Sequence, residues 1–309
     1  MKDPLFQKCY TSIVEYVPKN AKVLLAFSGG LDSTALFHLL REIAHLYPIT
    51  IECVHIDHGW REESRSEALQ LRRVVESYSI PFHLKMIESE TVTSNKEEVY
   101  REMRYSYIQE VYLDRGMDVL LTAHQADDQA ETILKRLFEG AGILSLEGIS
   151  AKRALFGMNV VRPLLTCYRA ELGEYLKSRG YSYIDDRTNY DTAYTRARTR
   201  HELIPYLEER FGKSVKKNLC RIGEESKAFS TALKEEVNEL FSREEKVLDW
   251  ELLSSLKSYQ LTALIQELFP SFSASEKELL RILVKKRKIG KKVKNVEITR
   301  EGVKMEDKF

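Results

Sequence analysis

Long apolar runs are missing from this sequence, and so are paired cysteines. No hydrophobic stretch approaches the roughly 20 residues that cross a bilayer. Met1-Lys2-Asp3-Pro4 opens the chain without an apolar signal region. A membrane partner is therefore not expected, and the reading is cytoplasmic. Cys9, Cys53, Cys167 and Cys220 lie far apart, with no Cys-x-x-Cys among them. That excludes the usual zinc-ribbon and iron–sulfur signatures, and scattered single thiols fit a reducing compartment. Net charge is nearly absent too, at +1, so total charge does not announce a nucleic-acid binder. The Gly-x-x-x-x-Gly-Lys loop that holds β and γ phosphates is also lacking.

What charge there is lies unevenly. From Arg281 to Arg300 there are nine Lys or Arg, including Lys285, Lys286, Arg287 and Lys288, against one acid, Glu297. Such a block attracts phosphate by counterion release, or is simply a solvated face. A chain of 309 residues points to about two domains and can bury a core without disulfides or a structural metal.

Strand and helix patterns alternate through the first two thirds. Apolar runs at 22–27, 49–56, 82–87, 119–123 and 160–165 read as strands. Helical periodicity fills 33–47, 64–78, 95–115 and 127–138. This predicts an α/β fold, a doubly wound parallel sheet with helices on both faces. Ligands in such sheets sit at the carboxyl ends of the strands, which draws attention to the loops after Phe27, Ile56 and Ala123. Beyond about Pro205 the pattern becomes mainly helical and rich in Lys and Glu, with a hairpin expected around Glu301-Gly302. The expected division is 1–210 and 211–309.

Ser28-Gly29-Gly30-Leu31-Asp32-Ser33 follows the first strand and opens a helix. Paired glycines let backbone N–H groups converge where the helix N-terminus favours an anion. Ser28 and Ser33 add hydroxyls. Asp32 is informative, because an acid beside a phosphate nest is repulsive unless a cation such as Mg2+ lies between them.

Other constellations are more ambiguous singly. Asp128 and Glu131 share a helical face and can grip an amine or a metal, or serve the helix dipole with Asp127. His124, just before them, donates to a phosphate or merely ends a strand. Arg101 and Arg104 share a face and reach one anion, or pair with nearby Glu102. His55-Ile56-Asp57-His58-Gly59-Trp60-Arg61 ends the second strand without a third zinc ligand at suitable spacing. Arg196, Arg198 and Arg200 form a cationic patch that suits an RNA backbone, or a surface balanced by Glu202, Glu208 and Glu209.

The phosphate loop resembles that of the N-type ATP pyrophosphatases, enzymes that adenylate a substrate and release pyrophosphate. The ordered set over roughly 20–210 resembles one family, the tRNA(Ile)-lysidine synthetases. It comprises the loop, the His55–Arg61 segment with Ser64 and Glu67, Arg101-Glu102-Met103-Arg104-Tyr105, Thr122–Thr132, Arg162-Pro163-Leu164-Leu165, and Asp185–Arg200. Gln125, Ser145, Thr188 and Ala197 depart from the family pattern, and the chain is short for the family, with one small C-terminal domain rather than two.

The resemblance implies an adenine nucleotide alpha hydrolase-like fold, ATP and Mg2+ as cofactors, and free lysine and an isoleucine tRNA with a CAU anticodon as substrates. It also admits a homodimer. Ser28, Gly29, Gly30, Leu31, Asp32, Ser33 and His124 would bind ATP, with Asp32 on the metal. Arg104 would stabilise charge at the reacting centre, and Asp128 and Glu131 would bind the lysine. Arg196, Arg198, Arg200 and Lys285, Lys286, Arg287 and Lys288 would hold the tRNA, the last four from the C-terminal domain. Rival readings are a tRNA thiolase of the same superfamily, which commonly carries a cysteine pair; an ammonia-using ligase, which usually has a glutaminase partner; and a non-catalytic tRNA or nucleotide-binding module.

Overall fold

The structure is a computed structural model and describes residues 3–57, 59, 63–86, 96–185, 195–212, 214–240, 247–269, 272 and 274–305. His58, Trp60, Arg61, Asp186, Arg187, Thr188 and Asn189, singled out in the sequence, lie outside that set.

Elements run in the order α1 (Pro4–Tyr16), β1 (Ala21–Ala26), α2 (Leu31–Ala44), β2 (Ile49–Asp57), α3 (Ser64–Glu76), β3 (Phe82–Met86), α4 (Lys96–Asp114), β4 (Val119–Leu121), α5 (Ala126–Phe138), β5 (Lys152–Leu155), β6 (Met158–Val161) and α6 (Arg169–Arg179). After these come α7 (Thr195–Arg198), a π-turn (Thr199–Leu203), α8 (Ile204–Phe211), α9 (Val215–Leu240), β7 (Val247–Asp249), α10 (Trp250–Ser255), α11 (Ser258–Leu268), α12 (Ala274–Lys285), β8 (Lys292–Val293), β9 (Val296–Ile298) and β10 (Gly302–Met305).

The chain divides into two compact units, Met1–Phe138 with Gly148–Arg221, and Glu139–Glu147 with Ile222–Phe309. In the first, six strands lie in the order β3-β2-β1-β4-β6-β5. All neighbours are parallel except the β5–β6 hairpin. The reason is legible in β1. Val23 and Leu25 belong to the core under α1, α2 and α6, while Leu24 belongs to the core under α4. Both faces are covered, so the strand reads as an unbroken apolar run. The strand order reverses between β1 and β4, which opens a crevice at their carboxyl ends.

The sequence pattern places a strand at 160–165. The structure has β6 at Met158–Val161, and only Leu164 continues, through a single bridge to Gln125. Pro163 has no N–H to donate, which ends the ladder. The hairpin partner β5 is not anticipated by the pattern. Phe156 and Gly157 turn the chain with φ of +49° and +72°, and Phe-Gly is an uncommon sequence for a turn of that kind.

The second unit packs helices against an antiparallel sheet ordered β7-β10-β9-β8, around Leu233, Leu264, Leu280, Val296, Ile298 and Val303. The expected hairpin joins β9 to β10; β7 and β8 were too short to show as alternation. No helix among the described residues is long and apolar enough to cross a membrane.

Candidate active site

The crevice in the first unit is a cleft of about 470 Å³. Its floor is the phosphate loop. Gly29 sits at φ +80°, where an added Cβ would come within 2.6 Å of Leu71 Cδ1. Its carbonyl accepts from Ile184 N at 2.9 Å and from Thr34 Oγ1 at 3.0 Å. Gly30 caps α2, and Ser33 Oγ donates to the Gly30 carbonyl at 3.1 Å and lies 3.0 Å from Ser28 Oγ. Backbone N–H groups at the start of α2 are thereby held toward the cleft. Gly29→Ala is expected to lower stability by ~1–2 kcal/mol, since a side chain is strained at positive φ. Thermal unfolding checks this, and an unchanged midpoint would mean that the loop conformation does not require glycine.

Asp32 stands one residue into that helix. Its Oδ2 accepts from Arg169 Nη1 at 2.6 Å, while its buried Oδ1 has no hydrogen-bond partner. Burial lifts its pKa to about 6; Arg169 and Arg200 act against the rise, and Asp128 and Asp127 add to it. A half-desolvated acid with an orphaned oxygen fits a hard cation. Among the described residues no cluster of three His, Cys, Asp or Glu could hold a metal ion by itself, so the other ligands would be phosphate and water oxygens, as is usual for Mg2+.

Across the cleft, Thr122 and His124 follow β4. His124 Nδ1 lies 3.0 Å from Thr122 Oγ1. Burial lowers its pKa to about 4, with Arg162, Arg196 and Arg101 contributing and Asp128 opposing, so the ring is neutral at pH 7. Asp128 lines the cleft and caps its own helix, accepting from Gln125 N at 3.1 Å. Glu131, one turn on, is 3% exposed and sits behind the cleft wall. Asp127, which the sequence assigns to the helix dipole, accepts from Arg169 N at 2.9 Å and pairs with Lys216 at 2.7 Å.

The three arginines after Thr195 have different fates. Arg198 is exposed, and Arg196 approaches Glu131 at 3.8 Å while its side chain stays 59% exposed. Arg200 turns inward. Its Nε donates to Glu131 Oε1 at 2.6 Å, and its Nη2 to Asp128 Oδ1 at 2.9 Å and Glu131 Oε2 at 3.2 Å. A guanidinium thus occupies the carboxylate pair that the sequence assigns to an amine. Arg104 and Tyr105 of α4 complete the wall. Arg169 was missed by sequence reasoning, since nothing at residue 169 signals a partner 137 positions away. Lys285, Lys286, Arg287 and Lys288 belong to the second unit. There Lys285 Nζ donates to Ser258 Oγ at 2.7 Å, and the Arg287 guanidinium lies 5.1 Å from the Trp250 ring centroid.

Residues 3–207 match the PP-loop domain family. The chain is 39% identical over 222 residues to the tRNA(Ile)-lysidine synthase of Chlamydia pneumoniae, a match covering 72% of this chain and 68% of that one. It is also 39% identical to the same-named protein of Chlamydia muridarum, covering 67% and 64%. With that of Protochlamydia amoebophila the identity is 33%, covering 69% of this chain and 46% of the longer relative. Among solved structures, the U34-tRNA thiolase NcsA of Methanococcus maripaludis superposes with a TM-score of 0.57 at 17% identity, covering 72% of this chain and 80% of that one; that likeness is one of fold. On the family match and these relatives together, the chain belongs to the PP-loop family and, within it, to the tRNA(Ile)-lysidine synthases.

Proposed function

We propose that the protein joins free lysine to C2 of the wobble cytidine of an isoleucine tRNA with a CAU anticodon, at the expense of ATP. As a member of its family it is a tRNA-modifying PP-loop ligase; the substrates and the division of labour are the proposal. The observation that carries it is that Asp32 and Asp128 line the same cleft. A phosphate-cleaving centre and an amine-gripping centre thereby share one cleft.

The cytosine O2 attacks the α phosphate, forming an adenylated base and releasing pyrophosphate. The lysine ε-amine then attacks C2, loses a proton, and expels AMP. Ser28, Gly29, Gly30, Leu31 and Ser33 cradle the pyrophosphate end with backbone N–H groups and hydroxyls. Mg2+ held by Asp32 would neutralise charge on the departing phosphates. Neutral His124 offers a hydrogen bond to a phosphate without carrying charge into the cleft. Arg104 faces the charge that develops at the α phosphate and the base.

Asp128 and Glu131 take the lysine amine. Arg200 marks the place by gripping the same oxygens, and lysine replaces it there. A nearby acid accepts the amine's proton, because an ammonium is no nucleophile. Arg196, Arg198 and the basic block at 285–288 hold the tRNA backbone, the second unit serving as the tRNA-binding domain. The reaction is cytoplasmic. Three of the four thiols are unsuited to reaction: burial raises the pKa of Cys9 and Cys53 and lifts Cys167 to about 11, the reverse of a reactive cysteine.

A pyrophosphate-release assay with this tRNA, with and without lysine, tests the reading. Pyrophosphate released on tRNA addition, with AMP appearing only when lysine is present, is the expected result. Release that ignores tRNA, or AMP that ignores lysine, would sink it.

A further inference from the structure

The β5–β6 hairpin ends in a turn with an unusual occupant. Both central residues have positive φ, the type I′ geometry that Asn-Gly adopts with little strain. Here the first of them is Phe156, an aromatic residue 45% exposed at the tip. Its inner face lies on Tyr105, with ring centroids 5.1 Å apart and planes inclined by 27°. Tyr105 is in turn part of the cleft wall beside Arg104, so a stack of rings leads from the reacting centre outward to Phe156.

Cations surround that stack. The Arg101 guanidinium lies 5.0 Å from the Tyr105 centroid. Arg153 of β5 is paired with Val160 of β6, and Val160 belongs to the core beneath α4. Residues directly opposite one another in a ladder share a face, so Arg153 points to the α4 side. Arg162, two residues after Val160, follows on the same face. It is 7% exposed, its Nη1 donates to the Ser150 carbonyl at 2.7 Å, and its buried Nε has no partner. Burial lowers its pKa, and Arg153 and Arg101 push the same way. Among the described residues none of the three meets a carboxylate within ion-pair distance. Neighbouring guanidinium groups repel one another and suit an external anion.

We propose that this hairpin tip is a docking surface for one unpaired nucleotide of the RNA substrate, adjoining the nucleotide in the cleft. Its base stacks on the outer face of Phe156, and its phosphate lies on Arg101 and Arg153. A base on an aromatic platform with flanking arginines is the ordinary way a single strand is held. The inference rests on the tRNA substrate proposed above and adds where the neighbouring nucleotide goes.

Phe156→Asn separates the two explanations for the residue. Asparagine suits the turn better than phenylalanine, so a purely structural role predicts no loss of stability and no loss of RNA affinity. On the docking reading, the Asn variant unfolds at the wild-type temperature or above, while the KM for a tRNA transcript with the CAU anticodon rises about tenfold. Phe156→Trp restores it. Arg101→Ala lowers the dependence of log Kd on log salt by about one unit. An unchanged KM in Phe156→Asn, measured where wild-type protein modifies the transcript normally, overturns this inference and leaves the proposed function standing. Failure of the wild-type protein to bind or modify the transcript overturns both.

Discussion

Asp32→Asn is expected to remove ATP-dependent pyrophosphate release, by roughly a thousandfold or more, while leaving a protein no less stable than the parent. The loss follows from the orphaned Oδ1. If that oxygen holds the cation on the departing phosphates, an amide in its place forfeits several kcal/mol of charge stabilisation in the transition state. The stability follows from the raised pKa. The free carboxyl group has a pKa of about 6 in the folded chain against 3.8 in the reference state. Folding therefore favours its protonated form. That favourable contribution is present below about pH 4 and is lost as the pH climbs through 6. At pH 7.5 the ionised side chain costs the ligand-free fold on the order of 3 kcal/mol, with the attraction of Arg169 already counted in that shift. Thermal unfolding without nucleotide and pyrophosphate release with tRNA measure the two halves. Near-normal turnover would rule out the metal role, and a collapsed melting temperature would show that the Arg169 pair outweighs the burial of the charge.

Glu131→Gln is expected to separate the two half-reactions. The variant keeps an oxygen for Arg200 but removes one of the two charges assigned to the lysine amine. Hydrogen bonds to charged groups contribute ~1.5–3 kcal/mol, so the KM for lysine should rise roughly 10- to 100-fold. Pyrophosphate release in the absence of lysine should fall far less, since Glu131 stands behind the cleft wall. Equal losses in both would assign Glu131 to the fold. Glu131→Ala is a harsher change. It strands a largely buried guanidinium on Asp128 alone, and a loss of about 3 kcal/mol in stability is expected, read by urea denaturation.

Much of this architecture is legible in the sequence because burial on both faces leaves an apolar run and amphipathic helices leave a period. β1, β2 and α2 follow from those rules alone, and Gly29-Gly30 marks the turn between β1 and α2. The β5–β6 hairpin was hidden because Phe156 occupies a turn position that favours asparagine or glycine. The short strands β7 and β8 were hidden because two or three residues carry no alternation. At the site, residue types pointed to the phosphate loop, to Asp32, and to the Asp128–Glu131 face. The partnerships were not legible. Arg169 on Asp32, and Arg200 on Asp128 and Glu131, join positions far apart in the chain. Arg200 in particular stands in a row of alternating arginines that reads as one surface, yet its neighbour Arg198 is exposed and it is not.

The hydrogen bond from Ile184 to the Gly29 carbonyl gives the cleft a mechanical property. The strand of chain that lies over the phosphate loop is the one that continues to Arg196 and Arg200. Ile184 is tied to the floor of the cleft, so the segment it belongs to acts as a brace on the phosphate loop. Ile184→Pro, which removes the donating N–H and leaves the polar side chains of the cleft in place, should therefore slacken the loop and raise the KM for ATP.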